Sequence, residues 1–306
     1  MSRLDRARIR ALLAVGALAA GAAGAQDDVA PRSDATAAEV LWQPSMNVFR
    51  RFEVPAERMY EFYGGVLGFE QLSTLNVGNG SGVARFQAGA QELKLTRRVG
   101  GRAYESGGVR GATGLRLLTF FFPNEAALVE RFAAHGLPPP RFSSFAGRRT
   151  ALVRDPDGQD VELVIVPGAT PELLASIEVG LTVADLERSR RFYREFVGLE
   201  ELPPVDDERF GTRKYSYRHG TTTISLRKFA EELPADTGSG GIQYVVSNVD
   251  FVDALAKERH VPIDQPLRGL PGFGLRTIWL DDPDGVTNYF AETGASRAGR
   301  AAPRDR

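Results

Sequence analysis

Met59-Tyr60-Glu61-Phe62-Tyr63-Gly64-Gly65-Val66-Leu67-Gly68-Phe69-Glu70 returns later in the chain as Ser189-Arg190-Arg191-Phe192-Tyr193-Arg194-Glu195-Phe196-Val197-Gly198-Leu199-Glu200. A second motif does the same: Asp155-Pro156-Asp157-Gly158 recurs as Asp282-Pro283-Asp284-Gly285. Tyr63 and Tyr193 lie 130 positions apart, and the two Asp-Pro-Asp-Gly segments lie 127 apart. Two motifs sharing one period mark a tandem duplication, and a repeat has to be recognised before any residue is given a role. A duplicated site can keep its chemistry in one copy, in both or in neither.

The length, 306 residues, suffices for two ordinary domains. A hydrophobic fraction of 42% with 25% charged residues is that of a globular chain. The formal charge of −1 leaves no basic footprint for a nucleic acid. Cysteine is absent, which excludes disulfides, thiol nucleophiles, cysteine-bound metals and cysteine lipidation. Residues 1–25 read as a secretory signal peptide. Arg3, Arg6, Arg8 and Arg10 form a basic start, Ala11 to Ala22 is apolar, and Ala23-Gly24-Ala25 is a small-residue cleavage site. Cleavage there removes a net +3 and leaves a formal charge of about −4. The expected location is periplasmic or secreted, with no membrane association after cleavage.

The organisation expected beyond residue 25 is a flexible leader (26–43), a first domain (44–166), a linker (167–173), a second domain (174–293) and a disordered tail (294–306). Each domain reads as two similar halves of strand, helix and about three further strands. In the second domain, Ile177–Val183 alternates as a strand, Asp185 can cap the helix that follows, and Gly198 is a natural left-handed stop. The order restarts at Ile242–Val246 and the helix Val249–Arg259. The Phe-Tyr pairs are expected to pack a helix on a sheet. The Asp-Pro-Asp-Gly segments are expected to be turns.

The run of first strand, Phe-Tyr, Val-Gly-Leu-Glu, Asp-Pro-Asp-Gly and last strand resembles the vicinal oxygen chelate (VOC) superfamily, which includes glyoxalase I, extradiol dioxygenases and bleomycin-resistance proteins. The resemblance spans roughly residues 45–293. It implies an α+β fold of two tandem VOC domains, each built from two βαβββ modules forming a half-open barrel with a cleft.

In metal-using members, His, Gln or Glu ligands sit at the start of the first strand, at the start of the strand opening the second half, and on the last strand shortly after Asp-Pro-Asp-Gly. Carried over, these positions fall at Phe49, Arg116 and Glu162 in the first domain. In the second they fall at Glu178, Gly241 and Tyr289. Only Glu162 and Glu178 are metal candidates, and the resemblance places them in different domains. His135 and His260 end helices and His219 sits in a turn, so none stands at a ligand position. Arg116 and Glu162 would converge where a metal would lie. That pair either replaces the metal and holds an anionic or enolic ligand oxygen, or is a plain structural salt bridge. Arg97–Gly111 and Gly269–Gly274 read either as lids over the cleft or as ordinary solvated loops.

The leading expectation is an exported glyoxalase-like, bleomycin-resistance-like protein that binds a small molecule through Arg116, Glu162, Glu178 and Tyr289. No cofactor is expected, and no catalytic residue is identified. The alternative is a metal-dependent lyase, isomerase or dioxygenase with a divalent metal shared by Glu162 and Glu178, Tyr289 or water completing its shell. A third reading is an interaction protein with vestigial clefts. Four modules in one chain supply what other members assemble as a dimer, so a monomer suffices. No phosphate-binding loop, dinucleotide fingerprint or Gly-x-Ser-x-Gly elbow is present.

Overall fold

The computed structural model describes residues 32–301 apart from 77–81, 99, 146 and 271. The expected signal peptide lies outside the described residues. The described residues form one compact unit.

Four modules follow one another. The first holds β1 (Asn47–Phe52), α1 (Ala56–Tyr60), β2 (Glu70–Asn76), β3 (Gly82–Ala88) and β4 (Gln91–Arg97). The second holds β5 (Gly114–Phe122), α2 (Glu125–Ala134), β6 (Ser143–Phe145), β7 (Arg148–Arg154) and β8 (Asp160–Ile165). A short helix α3 (Pro171–Leu174), capped by Thr170, occupies the end of the expected linker. The third module is β9 (Ile177–Thr182), α4 (Leu186–Arg191), β10 (Glu200–Asp207), β11 (Thr212–His219) and β12 (Thr222–Arg227). The fourth is β13 (Gly240–Val245), α5 (Val249–Glu258), β14 (Ile263–Leu270), β15 (Leu275–Asp281) and β16 (Thr287–Glu292). Asp185, Asn124 and Asn248 cap α4, α2 and α5 by accepting from a backbone N–H three residues on.

These modules form two eight-stranded mixed sheets. Sheet I has the order β14-β15-β16-β13-β1-β4-β3-β2 and curls into a half-barrel; sheet II has the order β10-β11-β12-β9-β5-β8-β7-β6. The tandem VOC domains and their modules are as the resemblance implies, but each sheet joins one module from each domain. The seams are antiparallel: β1 on β13, and β5 on β9. Each seam brings together strands far apart in the chain.

The repeated motifs hold the unit together. After α1 and α4 the chain widens into π turns, Glu61–Val66 and Phe192–Val197. The second stops at Gly198, whose φ of 84° is left-handed and unfavourable for a side chain with a Cβ. Tyr63 donates to Asp155 Oδ2 at 3.1 Å, and Tyr193 donates to Asp282 Oδ2 at 2.7 Å. The Phe-Tyr and Asp-Pro-Asp-Gly motifs therefore meet through a buried hydrogen bond in both repeats. The apolar faces of both sheets and the helices share one continuous core, which includes Val48, Phe52, Leu118, Phe120, Val179, Leu181, Tyr244 and Phe290. Their side chains alternate with residues on the opposite, helix-free faces.

Both ends of the described chain correct the expectation. The leader is docked from Arg32 onward: Ala35 and Ala37 are buried, Ala37–Val40 forms a 3-10 turn, and Trp42 N–H donates to the Val245 carbonyl at 2.8 Å. The tail folds as α6 (Gly294–Ala301), with Ser296 buried and Thr293 accepting its backbone N–H as a cap at 3.0 Å.

Candidate functional site

Directly opposed residues on adjacent strands share a face, so strand register identifies each row of side chains. In sheet II, Thr119 on β5 opposes both Glu178 on β9 and Glu162 on β8, and Glu178 in turn neighbours Thr223 on β12. Glu162 and Glu178, although distant in sequence, thus lie on one face with a single strand between them. Two strand spacings separate their backbones by roughly 9–10 Å. In sheet I the corresponding row is Glu92 on β4, Asn47 on β1, Gln243 on β13 and Tyr289 on β16, continuing to Trp279 on β15 and Gln265 on β14.

In register, the residues in line with Glu162, Glu178 and Tyr289 are Thr119, Gln243 and Asn47, not Arg116, Gly241 and Phe49. Gly241 has a structural reason: a Cβ there would collide with the Phe49 ring and the Thr287 carbonyl. Arg116 falls at the register shift between Leu115 and Leu117. It does not pair with Glu162. Its Nη1 contacts Asp236 Oδ2 at 2.5 Å and the Glu105 carbonyl at 2.8 Å, and its other donors serve the Gly107 and Gly108 carbonyls. Arg116 is a buried clamp on the loop before β5. Tyr289 belongs to sheet I, so it cannot complete a shell around Glu162 and Glu178 in sheet II.

The helix-free face of sheet II is occupied by the protein's own side chains. Arg209, in the turn between β10 and β11, donates to Glu162 Oε1 at 2.9 Å and to the Thr150 hydroxyl. Thr119 donates to Glu162 Oε2 at 3.1 Å. Glu178 is held by Lys214 Nζ at 3.0 Å and by Arg227 Nη2 at 3.5 Å, while Arg227 also reaches Asp207 at 2.8 Å. Leu117, Val109, Phe210 and Phe229 close over the neighbouring part of the same face as a small apolar cluster. The carboxyls respond differently. Burial, reinforced by Glu178, raises Glu162, with Arg209 opposing. Burial would raise Glu178 too, but Lys214 and Arg227 outweigh it and hold that carboxyl at about 2.

The helix-free face of sheet I has a different character. Lys94 opposes Phe49 on one side and Arg85 on the other. Its ammonium donates to Gln243 Oε1 and lies 3.5 Å from Glu92 Oε2. Asn47 joins the same network: its amide nitrogen donates to Gln243 Oε1 at 3.4 Å, and its oxygen accepts from Glu92 N–H at 2.9 Å. Arg85 makes a two-point contact with Glu92, at 2.6 and 2.9 Å. Burial lowers the Lys94 ammonium, with Glu92 opposing. Trp279 and Tyr289 form an edge-to-face pair with centroids 5.3 Å apart, and Arg51 lies 4.8 Å over the Phe49 ring. Burial pushes the Tyr289 phenol up to about 12. Phe49, Lys94, Arg85, Trp279, Tyr289 and Gln265 are all half-buried. Among the described residues, no group of three or more His, Asp or Glu is gathered as a metal centre would need.

The Arg- and Gly-rich segment after β4 is pinned rather than lid-like. Arg102 donates to the Thr237 carbonyl at 2.8 Å and to Asp281 at 2.8 Å, Ser106 donates to the Asp157 carbonyl at 2.6 Å, and Tyr104 donates to Asp157. The sequence reading missed Asn47, Lys94, Gln243 and Trp279. The period-two alternation of β1 and β4 pointed to Asn47 and Lys94 alone, and it does not reveal that β13 and β15 extend the same face.

The chain is similar to known proteins over most of its length. The model of the Glyoxalase/Bleomycin resistance protein/Dioxygenase superfamily matches residues 54–163 and again 175–290. A lactoylglutathione lyase of Arabidopsis thaliana is 25% identical over 252 residues, covering 75% of this chain and 84% of that protein. Among solved structures, glyoxalase I from Zea mays superposes with a TM-score of 0.63 at 20% identity, covering 84% of this chain and 95% of that one. A putative dioxygenase from Bacillus subtilis superposes with a TM-score of 0.61 at 14% identity, covering 85% and 87%. At these identities the structural likeness speaks for the fold alone. The two tandem matches nevertheless cover most of the chain, which belongs to the Glyoxalase/Bleomycin resistance protein/Dioxygenase superfamily.

Proposed function

We propose that this protein binds a small organic molecule on the helix-free face of sheet I, as a glyoxalase-like superfamily member that works without a resident divalent metal. The observation that carries this reading is the Lys94 ammonium seated among Gln243, Glu92 and Asn47. The row offers a divalent cation two neutral amides, a phenol that stays protonated at neutral pH, and one carboxylate already shared by Arg85 and Lys94. Such a donor set does not fit a zinc, nickel or manganese ion, which needs imidazole or carboxylate ligands free of competing cations. The half-buried aromatic side chains beside the row give a ligand apolar surface, as small-molecule sites do.

One observation favours a second reading. Glu162 and Glu178 share a face of sheet II, where a metal-dependent lyase or dioxygenase would use them. Each carboxylate there already has a fixed cation at 3.0 Å or less. Elemental analysis together with a ligand thermal-shift screen separates the two. The proposal expects no stoichiometric metal, no change in melting temperature on chelation, and ligand-induced stabilisation that disappears in Trp279→Ala. About one metal per chain, lost in Glu162→Gln, would favour the lyase or dioxygenase reading. Residues 1–25, which read as a signal peptide, support an exported protein acting in the periplasm or outside the cell. Fractionation of the expressing cells tests that location.

A further inference from the structure

Resting on the reading that sheet I binds the ligand, we infer that the ligand is a planar aromatic oxyanion, an aromatic carboxylate or phenolate, whose charge is received by Lys94. An ammonium has three N–H donors. Two of those of Lys94 face Gln243 and Glu92, and the third has no protein partner among the described residues. Its side chain is 16% exposed on the open face, so it is partly desolvated yet reachable. Lys94 is also fixed in place, because Gln243 and Asn47 hold each other and Asn47 holds the Glu92 backbone. A charged donor placed in advance binds an oxyanion more strongly than a neutral one.

Two further features set the rest of the ligand. Phe49 lies beside Lys94 in register, and its ring packs over Gly241, which leaves no side chain beneath it. The Tyr289–Trp279 pair stands on the same face, two and three strands beyond β1. These rings all lie on the β1 side of β4, the direction in which Lys94 reaches Gln243, and suit a flat conjugated body. The Trp279 Nε1–H is buried and has no partner among the described residues. A buried donor without an acceptor is costly, and a second oxygen on the ligand would satisfy it. The neighbouring cations Arg85 and Arg51 add favourable potential for an anion.

The chain has two tryptophans, Trp42 and Trp279, so Trp42→Phe leaves Trp279 as the sole indole reporter. In that background the protein is titrated with 4-nitrobenzoate and, separately, with uncharged nitrobenzene, reading fluorescence quenching. Saturable quenching by 4-nitrobenzoate is expected. It should weaken about tenfold or more in Lys94→Met and stay within about threefold in Lys94→Arg. Nitrobenzene quenching should be unchanged by either substitution, which also reports that the fold survives. Equal 4-nitrobenzoate affinity in Lys94→Met, with both probes still saturable, overturns the inference and leaves the binding reading standing. Quenching that never saturates with either probe overturns both.

Discussion

Replacing Arg50 by methionine should cost about 3–5 kcal/mol of folding stability, the loss expected when one member of a buried charge cluster is removed. Arg50 lies on β1 but points away from the open face of sheet I, into the core. Its Nε is 3.2 Å from Asp155 Oδ2 and its Nη2 is 3.0 Å from Asp157 Oδ2, with the three side chains 2%, 0% and 5% exposed. At these separations each pair is worth about 5 kcal/mol at an effective dielectric of 20, much of it offset by desolvation. Methionine restores the apolar volume but leaves two buried carboxylates. Their Oδ1 atoms keep backbone donors, from Asp157 and Gln159 to Asp155 and from Glu53 and Val54 to Asp157. Their Oδ2 atoms lose the guanidinium and keep only the hydroxyls of Tyr63 and Tyr104. The remaining donors favour the lower end of the range. Guanidinium denaturation at neutral pH, followed by circular dichroism, measures the loss. A decrease below about 1 kcal/mol with an unchanged slope would refute the claim that this cluster locks β1 to the Asp155–Gly158 turn.

The second repeat lacks that cation. Leu181 occupies the register position matching Arg50, and burial, with Asp284 adding to it, pushes the Asp282 carboxyl up to about 7. A raised carboxyl pKa favours the folded state most below the unfolded value near 4, and that contribution is lost as pH rises through 7. The melting temperature should therefore fall between pH 4 and 8, and Asp282→Asn should flatten the slope; parallel profiles would contradict this. Glu178 has the opposite sign. Its stabilisation is full above 4.5 and lost as pH falls through about 2. Glu178→Gln should therefore cost about 1–3 kcal/mol at neutral pH, a deficit that narrows in acid melts, and a constant deficit would refute the ion pairing. Residues 44–166 expressed alone should sediment as a homodimer, since β1 and β5 lose their seam partners; a folded monomer would argue against the seams.

Much of the scaffold could be read directly from the chain. The Phe-Tyr and Asp-Pro-Asp-Gly motifs and the Gly198 stop carry local chemistry that does not depend on which strands pair. Edge strands β2, β6, β10 and β14 were harder to place, because an edge strand need not alternate cleanly. β10 carries Pro203-Pro204 and a register shift, and β14 carries Pro266 and shifts of its own. The site rows depend on register. Phe49 and Gly241 are two residues from Asn47 and Gln243, an offset that keeps the same face because side chains alternate with period two. Arg116 is three residues from Thr119 with a register shift between them, so its side chain leaves the row and clamps a loop instead. The modules are duplicates, so periodicity alone does not decide whether β1 lies beside β5 or β13. That choice determines which residues share a site.

Paired cysteines test the cross-repeat seam most directly, because the chain has no cysteine of its own. Asn47 and Gln243 oppose each other on antiparallel strands, where Cα atoms lie about 4.5–5.5 Å apart, within the range a disulfide spans. Asn47→Cys with Gln243→Cys should form an intramolecular disulfide under mild oxidation, seen as a faster-migrating monomer on a non-reducing gel. Asn47→Cys with Thr119→Cys, which would be neighbours if each tandem domain closed its own sheet, should remain reduced. The reverse result would contradict the account.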